Sequence, residues 1–128
     1  MFNWRRNAPD DGPVVLDEAY LARLAGHLGD ECLRELLADG LLELSDRIDL
    51  VEELASSQQT ADLARLCHDL AGMAGHLGLS ELAKHAAEGE RALRAPGGSV
   101  REVSGQLVAS AAPAIAAIRF FLDGASNG

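Results

Sequence analysis

The sequence predicts an all-α protein, an antiparallel up-down four-helix bundle with an additional short N-terminal helix. Three observations carry this expectation. Hydrophobic residues make up 48% of the 128 positions but aromatics only 4%, so the core must be built from Leu, Ala, Val and Ile, a palette that favours helices over sheets. Apolar residues recur at steps of three and four over most of the chain, the period of one helix face. Strand-like alternation appears nowhere, and the breaks between periodic runs are short, which makes successive helices antiparallel neighbours.

Residues 1–13 (MFNWRRNAPDDGP) lack periodicity and hold two of the four prolines. They are expected to form a mobile arm whose Phe2 and Trp4 can pack onto the domain as a cap. One helical domain is expected over 14–123, followed by a frayed polar tail over 124–128. The first helix starts near Asp17, a cap or first-turn acid, carries Tyr20, Leu21, Leu24 and Leu28 on one side and stops at Gly29. From Asp30 a long helix runs along Leu33, Leu36, Leu37, Leu41, Leu44, Ile48, Val51 and Leu54.

Residues 56–60 (SSQQT) read as a turn, with Thr60 placed to cap a third helix that ends near Gly78. Ser80 is the cap candidate for a fourth helix, whose Leu82, Ala83, Ala86 and Leu93 face inward. Pro96-Gly97-Gly98 is the strongest break inside the domain. Ser99 then caps a last helix along Val100, Val103, Leu107, Ile115, Ile118, Phe121 and Leu122. Pro113 falls inside that pattern and is expected to kink or split it.

A net charge of −9, from 20 acidic and 11 basic side chains, repels phosphate backbones and anionic lipid and argues against nucleic-acid or membrane partners. No stretch approaches the roughly 20 apolar residues of a membrane span. No apolar run follows Arg5 and Arg6, as a signal peptide requires. Cys32 and Cys67 stand in no metal-like spacing. The expectation is a cytoplasmic chain with reduced thiols.

The third helix carries the chemistry. Placed on a wheel at about 100° per residue with His68 at zero, Leu63, Leu66, Leu70, Met73 and Leu77 fall between about 140° and 220°. His68 therefore points away from the apolar stripe. Its neighbours three and four residues away are Ala64, Arg65, Ala71 and Gly72, with Gly75 also on the outer face. A solvated face ordinarily carries long polar side chains, and an exposed mid-helix glycine costs about 1 kcal/mol relative to alanine. Small residues around one imidazole suit a nucleophile that another macromolecule must approach closely. Imidazole, with an unperturbed pKa near 6.5, is substantially neutral at pH 7 and can take a phosphoryl group on nitrogen, and in-line phosphoryl transfer needs unobstructed access.

His68, Leu70, Gly72, Ala74, Leu77, Gly78, Leu82 and Glu90 together resemble the signature of histidine-containing phosphotransfer (HPt) domains. That signature runs roughly H-x-L-K-G-s-a-x-x-l-G-a-x-x-L and closes with a glutamate on the next helix. The detailed likeness covers residues 68–90, and the helix pattern extends it to about residues 15–122. The resemblance implies an up-down four-helix bundle that shuttles a phosphoryl group to or from the aspartate of a response-regulator receiver domain. It implies His68 as phosphoacceptor and Gly72 as the glycine that keeps it accessible. The family lysine three residues after the histidine is Ala71 here, and Arg65, one turn before His68, is the nearest basic candidate for its electrostatic role.

His76 lies about 80° from His68 and roughly 12 Å along the axis, too far to share a metal with it, and reads as a flank of the docking surface. His27 and His85 are lone histidines without a carboxylate-rich metal layout, and Cys67 reads as a buried structural thiol. Lys84 and Arg91 are candidates for the edge of the docking face. The sequence thus points to a phosphocarrier without kinase activity or a cofactor of its own. The expected Mg2+ belongs to the receiver partner. Receiver domains and a hybrid histidine kinase are the expected partners, and the resemblance leans towards a monomer. The alternative is an HPt-like module that binds receivers, or dimerises, without phosphotransfer.

Overall fold

Five helices and no strand make up the described residues: α1 (Glu18–Leu28), α2 (Asp30–Ser56), α3 (Thr60–His76), α4 (Ser80–Arg94) and α5 (Val100–Asn127). The computed structural model describes residues 14–127, so the expected arm over 1–13, with Phe2 and Trp4, lies outside them. α2 packs on α3 and α5, α4 packs on α3 and α5, and α1 lies against α2. The core between them is aliphatic. Leu37, Leu44, Val51, Leu63, Leu70, Leu82, Leu107 and Ile118 are fully or almost fully buried. Among the described residues no polar residue is buried as a whole, although the Ser110 hydroxyl is shielded from solvent without a hydrogen-bond partner.

Local chemistry sets the helix ends. The Asp17 side chain accepts a hydrogen bond from the Tyr20 backbone N–H at 3.0 Å, an N-cap that satisfies one of the free amides of the first turn. Gly29 (φ +90°) ends α1 and leads directly into α2. α3 closes in a Schellman turn: the Leu79 N–H bonds the Ala74 carbonyl at 2.8 Å and the Gly78 N–H bonds the Gly75 carbonyl at 3.2 Å. Glycine is required at 78 on two counts, a φ of +78° and a Tyr20 ring carbon only 3.2 Å from where a Cβ would stand. α2 ends in the same geometry, with Gln58 in the left-handed position (φ +57°). Ser99 Oγ accepts from the Glu102 N–H at 3.1 Å and caps α5 as expected.

Four expectations need correction. Thr60 and Ser80 cap nothing; they are the first helical residues, and Gln59 and Leu79 hold the cap positions without side-chain bonds. Both helices follow directly on a Schellman turn, which uses up the residues in which a separate cap would form. Pro113 does not split α5, which is continuous through it. Pro113 and Ala109, the residue whose carbonyl loses its partner, are both exposed, so the missing bond falls on the solvent side of the helix, where its loss costs least. α5 also reaches Asn127, past the expected start of the tail. Finally, Val100–Gly124 is by length and composition alone apolar enough to cross a membrane, although no such stretch was expected. Here Leu107, Ala111, Ala114 and Ile118 of this helix are buried in the helix packing.

Candidate functional site around His68

α3 carries a wider buried face than its leucines reveal. Leu63, Leu66, Leu70 and Leu77 are buried as the wheel requires, and so are Ala64, Cys67 and Ala74. These small residues extend the buried arc towards α4, the helix with which α3 packs most extensively. Alanines and a cysteine at this seam let the two backbones approach closely. Gly89 of α4 faces this seam: a Cβ there would stand 3.4 Å from Cys67 Sγ of α3, and 2.8 Å from Val103 Cγ1 of α5 on its other side.

This corrects part of the expected docking surface. Ala64, placed on the open face by the wheel, is 2% exposed, and Ala71 is partly buried against the core. The exposed neighbours of His68 are Arg65, Gly72, Gly75 and His76. A Cβ built on Gly72 or Gly75 meets nothing within 4 Å. Among the described residues nothing requires glycine at either position, and both leave the helix surface low beside His68. His76 is exposed at the last turn of α3, and its carbonyl accepts the Tyr20 hydroxyl at 3.0 Å.

The His68 side chain is 71% exposed, and its Nδ1 lies 3.1 Å from Oε1 of Glu90. The other carboxylate oxygen of Glu90 accepts from Arg94 Nε at 2.9 Å. The Arg94 guanidinium, and after it His68, hold the Glu90 carboxyl below its ordinary range, against the opposing effect of partial desolvation. An ionised carboxylate only accepts hydrogen bonds, so the His68–Glu90 contact requires the hydrogen on Nδ1. In the neutral ring Nε2 then holds the free lone pair, at the end of the ring away from α4. Glu90 thus selects the nitrogen that can act as nucleophile.

The remaining candidates fall into place around this pair. Arg65 lies on the same face with its Nη2 3.3 Å from Asp62 Oδ1, both side chains exposed. A shallow groove of about 290 Å³ runs beside it between α2 and α3, walled by Leu50, Leu54, Leu66, Asp62 and Asp69. Leu50 was not read as part of the site; it lies off the buried stripe of α2 and is 39% exposed, and that offset was its signal. Arg94 was missed as well, although its spacing of four residues from Glu90 is the one that pairs charges on a helix. Lys84 pairs with Glu88 within α4, and Arg91 is exposed. Cys67 is buried, and its thiol is pushed up to about 11 by burial and by the Glu90 charge. A larger groove of about 560 Å³, lined by Val15, Leu16, Ala117, Phe120 and Phe121, takes no residue from α3 or α4 and is separate from this site.

No curated protein and no solved structure matches the chain. The family model of the Hpt domain matches residues 35–119, about two-thirds of the chain, from within α2 to within α5. Hpt domains are phosphocarrier modules of phosphorelays and not kinases; they interact with response-regulator receiver domains and histidine kinases. An exposed histidine backed by a carboxylate on the adjacent helix fits that match, and the chain belongs to the Hpt domain family.

Proposed function

We propose that this protein accepts a phosphoryl group on His68 and exchanges it with the aspartate of a receiver domain. The observation that carries the reading is the His68 Nδ1–Glu90 contact at 3.1 Å on a ring that is otherwise open to solvent. In the forward step the Nε2 lone pair forms a bond to phosphorus as the bond from phosphorus to the aspartyl oxygen breaks, and the aspartate leaves as a carboxylate. The hydrogen on Nδ1 stays in its bond to Glu90, whose negative charge offsets the positive charge that develops on the ring. Gly72 and Gly75 leave room for the incoming receiver. In this reading the four longer helices form the family's up-down bundle, the protein works as a cytoplasmic monomer, and the Mg2+ is bound by the receiver.

Arg65 takes part of the role that lysine has at the position of Ala71. Its exposed pair with Asp62 is of a kind worth only about 0–1 kcal/mol, so the guanidinium can exchange it for a phosphoryl oxygen. Arg65→Ala is expected to slow phosphate exchange with a cognate receiver, and an unchanged rate would remove Arg65 from the mechanism.

The deciding experiment incubates the chain with a phosphorylated receiver and assays acid-labile, alkali-stable phosphate. Label on the wild type and none on His68→Gln is the expected result. Label that persists in His68→Gln overturns the site. Receiver binding without label on the wild type supports instead the docking module that the Ala71 replacement would suit.

A further inference from the structure

We propose that Arg94 is a positioning residue for this reaction. From the next helix it fixes the Glu90 carboxylate so that one oxygen is committed to Nδ1 of His68, and it thereby sets which ring nitrogen is nucleophilic. The inference deepens the phosphotransfer reading, but its primary readout, the ring tautomer, does not depend on that reading.

The geometry forms a relay of three groups. Arg94 Nε donates to Glu90 Oε2 at 2.9 Å, and Glu90 Oε1 accepts from His68 Nδ1 at 3.1 Å. A glutamate side chain has three rotatable bonds, and on the surface of α4 it would sample several directions. Arg94 lies one turn further along the same helix, the spacing at which side chains meet. Its bond to the far oxygen turns the carboxylate edge towards α3. The Glu90 side chain is 22% exposed, whereas those of His68 and Arg94 are 71% and 56% exposed. The carboxylate is the anchored member between two accessible partners.

The same bond keeps the acceptor charged. The charged and titratable groups that meet Glu90 are His68 and Arg94, with the buried Cys67 thiol sensing its charge from α3. Arg94 is the largest influence lowering the Glu90 carboxyl. Were Glu90 protonated it could donate to Nδ1, and the ring hydrogen would then stand on Nε2 and block the nucleophile. Arg94 therefore guards both the direction and the protonation state of the group behind His68. The family places its cation three residues after the histidine; this chain has Ala71 there, partly buried in the core packing.

The test reads the His68 ring directly. The 15N shifts of its two nitrogens are measured on the full chain at a pH where the ring is neutral, for wild type, Arg94→Gln, Arg94→Lys, Glu90→Gln and the double variant Arg94→Gln/Glu90→Gln. The wild type is expected to carry its hydrogen on Nδ1. Arg94→Gln is expected to move the population towards Nε2–H, Arg94→Lys to restore part of the Nδ1–H form, and the double variant to match Glu90→Gln, because Arg94 acts through Glu90. Phosphate uptake by Arg94→Gln should fall by about tenfold or more. A wild-type tautomer in Arg94→Gln overturns the inference, whatever its phosphate uptake. A tautomer shift without phosphate uptake by the wild type upholds the relay and removes the phosphotransfer reading alone. Because Arg94→Lys keeps the charge, folded Arg94→Lys with the Nε2–H ring population of Arg94→Gln would also count against it.

Discussion

Gly40 and Gly72 sit in helix interiors with the same intrinsic disadvantage, yet the protein uses them for opposite ends. A Cβ on Gly40 would stand 2.5 Å from Cδ2, 2.9 Å from Cδ1 and 3.2 Å from Cγ of the buried Leu77. Glycine there lets α2 close onto the end of α3. A Cβ on Gly72 would meet nothing within 4 Å, so glycine there brings no packing gain among the described residues. The contrast separates a glycine that the packing of the helices needs from one that, in the proposed function, keeps a surface clear for a receiver.

The largest expected effect comes from filling the first kind of site. Gly40→Ala should destabilise the fold by about 1–3 kcal/mol, the usual result of overpacking, because the whole isobutyl group of Leu77 is in the way. Gly89→Ala, against Val103 and Cys67, belongs to the same class. Denaturant unfolding measures both, and a stability equal to wild type would show that the seams are looser than described. Gly72→Ala should act in the opposite direction, stabilising α3 by up to about 1 kcal/mol while slowing exchange with a receiver. A variant that is more stable and equally fast would break the comparison, since the glycine would then serve neither purpose.

A smaller effect should follow from acidification. The Glu90 carboxyl lies below its ordinary range in the folded chain, so its contribution to stability is present above the unfolded carboxyl pKa. It is lost as the pH falls through the folded value. Unfolding of wild type and Glu90→Gln between neutral and acid pH should therefore converge on the acid side, and parallel curves would count against the relay. The smallest expected change is chemical. Cys32 is exposed and Cys67 is buried with its thiol raised to about 11, so a thiol reagent near pH 8 should label Cys32 alone until the chain unfolds.

Much of this was legible in the residues. Apolar residues at three- and four-residue steps mark every helix, and the imidazole of His68 opposite the stripe of α3 marks the candidate site. Alanine was the ambiguous letter. Ala64 and Ala71 look like a cleared surface on a wheel, but small side chains serve equally well to let two helices approach, and only the position of α4 decides between the two. Thr60 and Ser80 misled for a related reason: a hydroxyl at a helix start has capping chemistry whether or not the chain enters at the angle that uses it. Arg94 was hidden because its partner belongs to the motif and it does not. Its meaning appears only when Glu90 is seen bonded on both sides.

α1 holds one more consequence. It lies outside the region shared with the family, which begins at residue 35. It is pinned by the Tyr20 hydroxyl to the His76 carbonyl, by the Asp17 N–H to the Gly78 carbonyl at 2.8 Å, and by packing on α2. The first of these ends on the last turn of the helix that carries His68. Fraying of that turn and release of α1 are therefore linked equilibria, and whatever ties down the first helix sets the rigidity of the helix that carries His68.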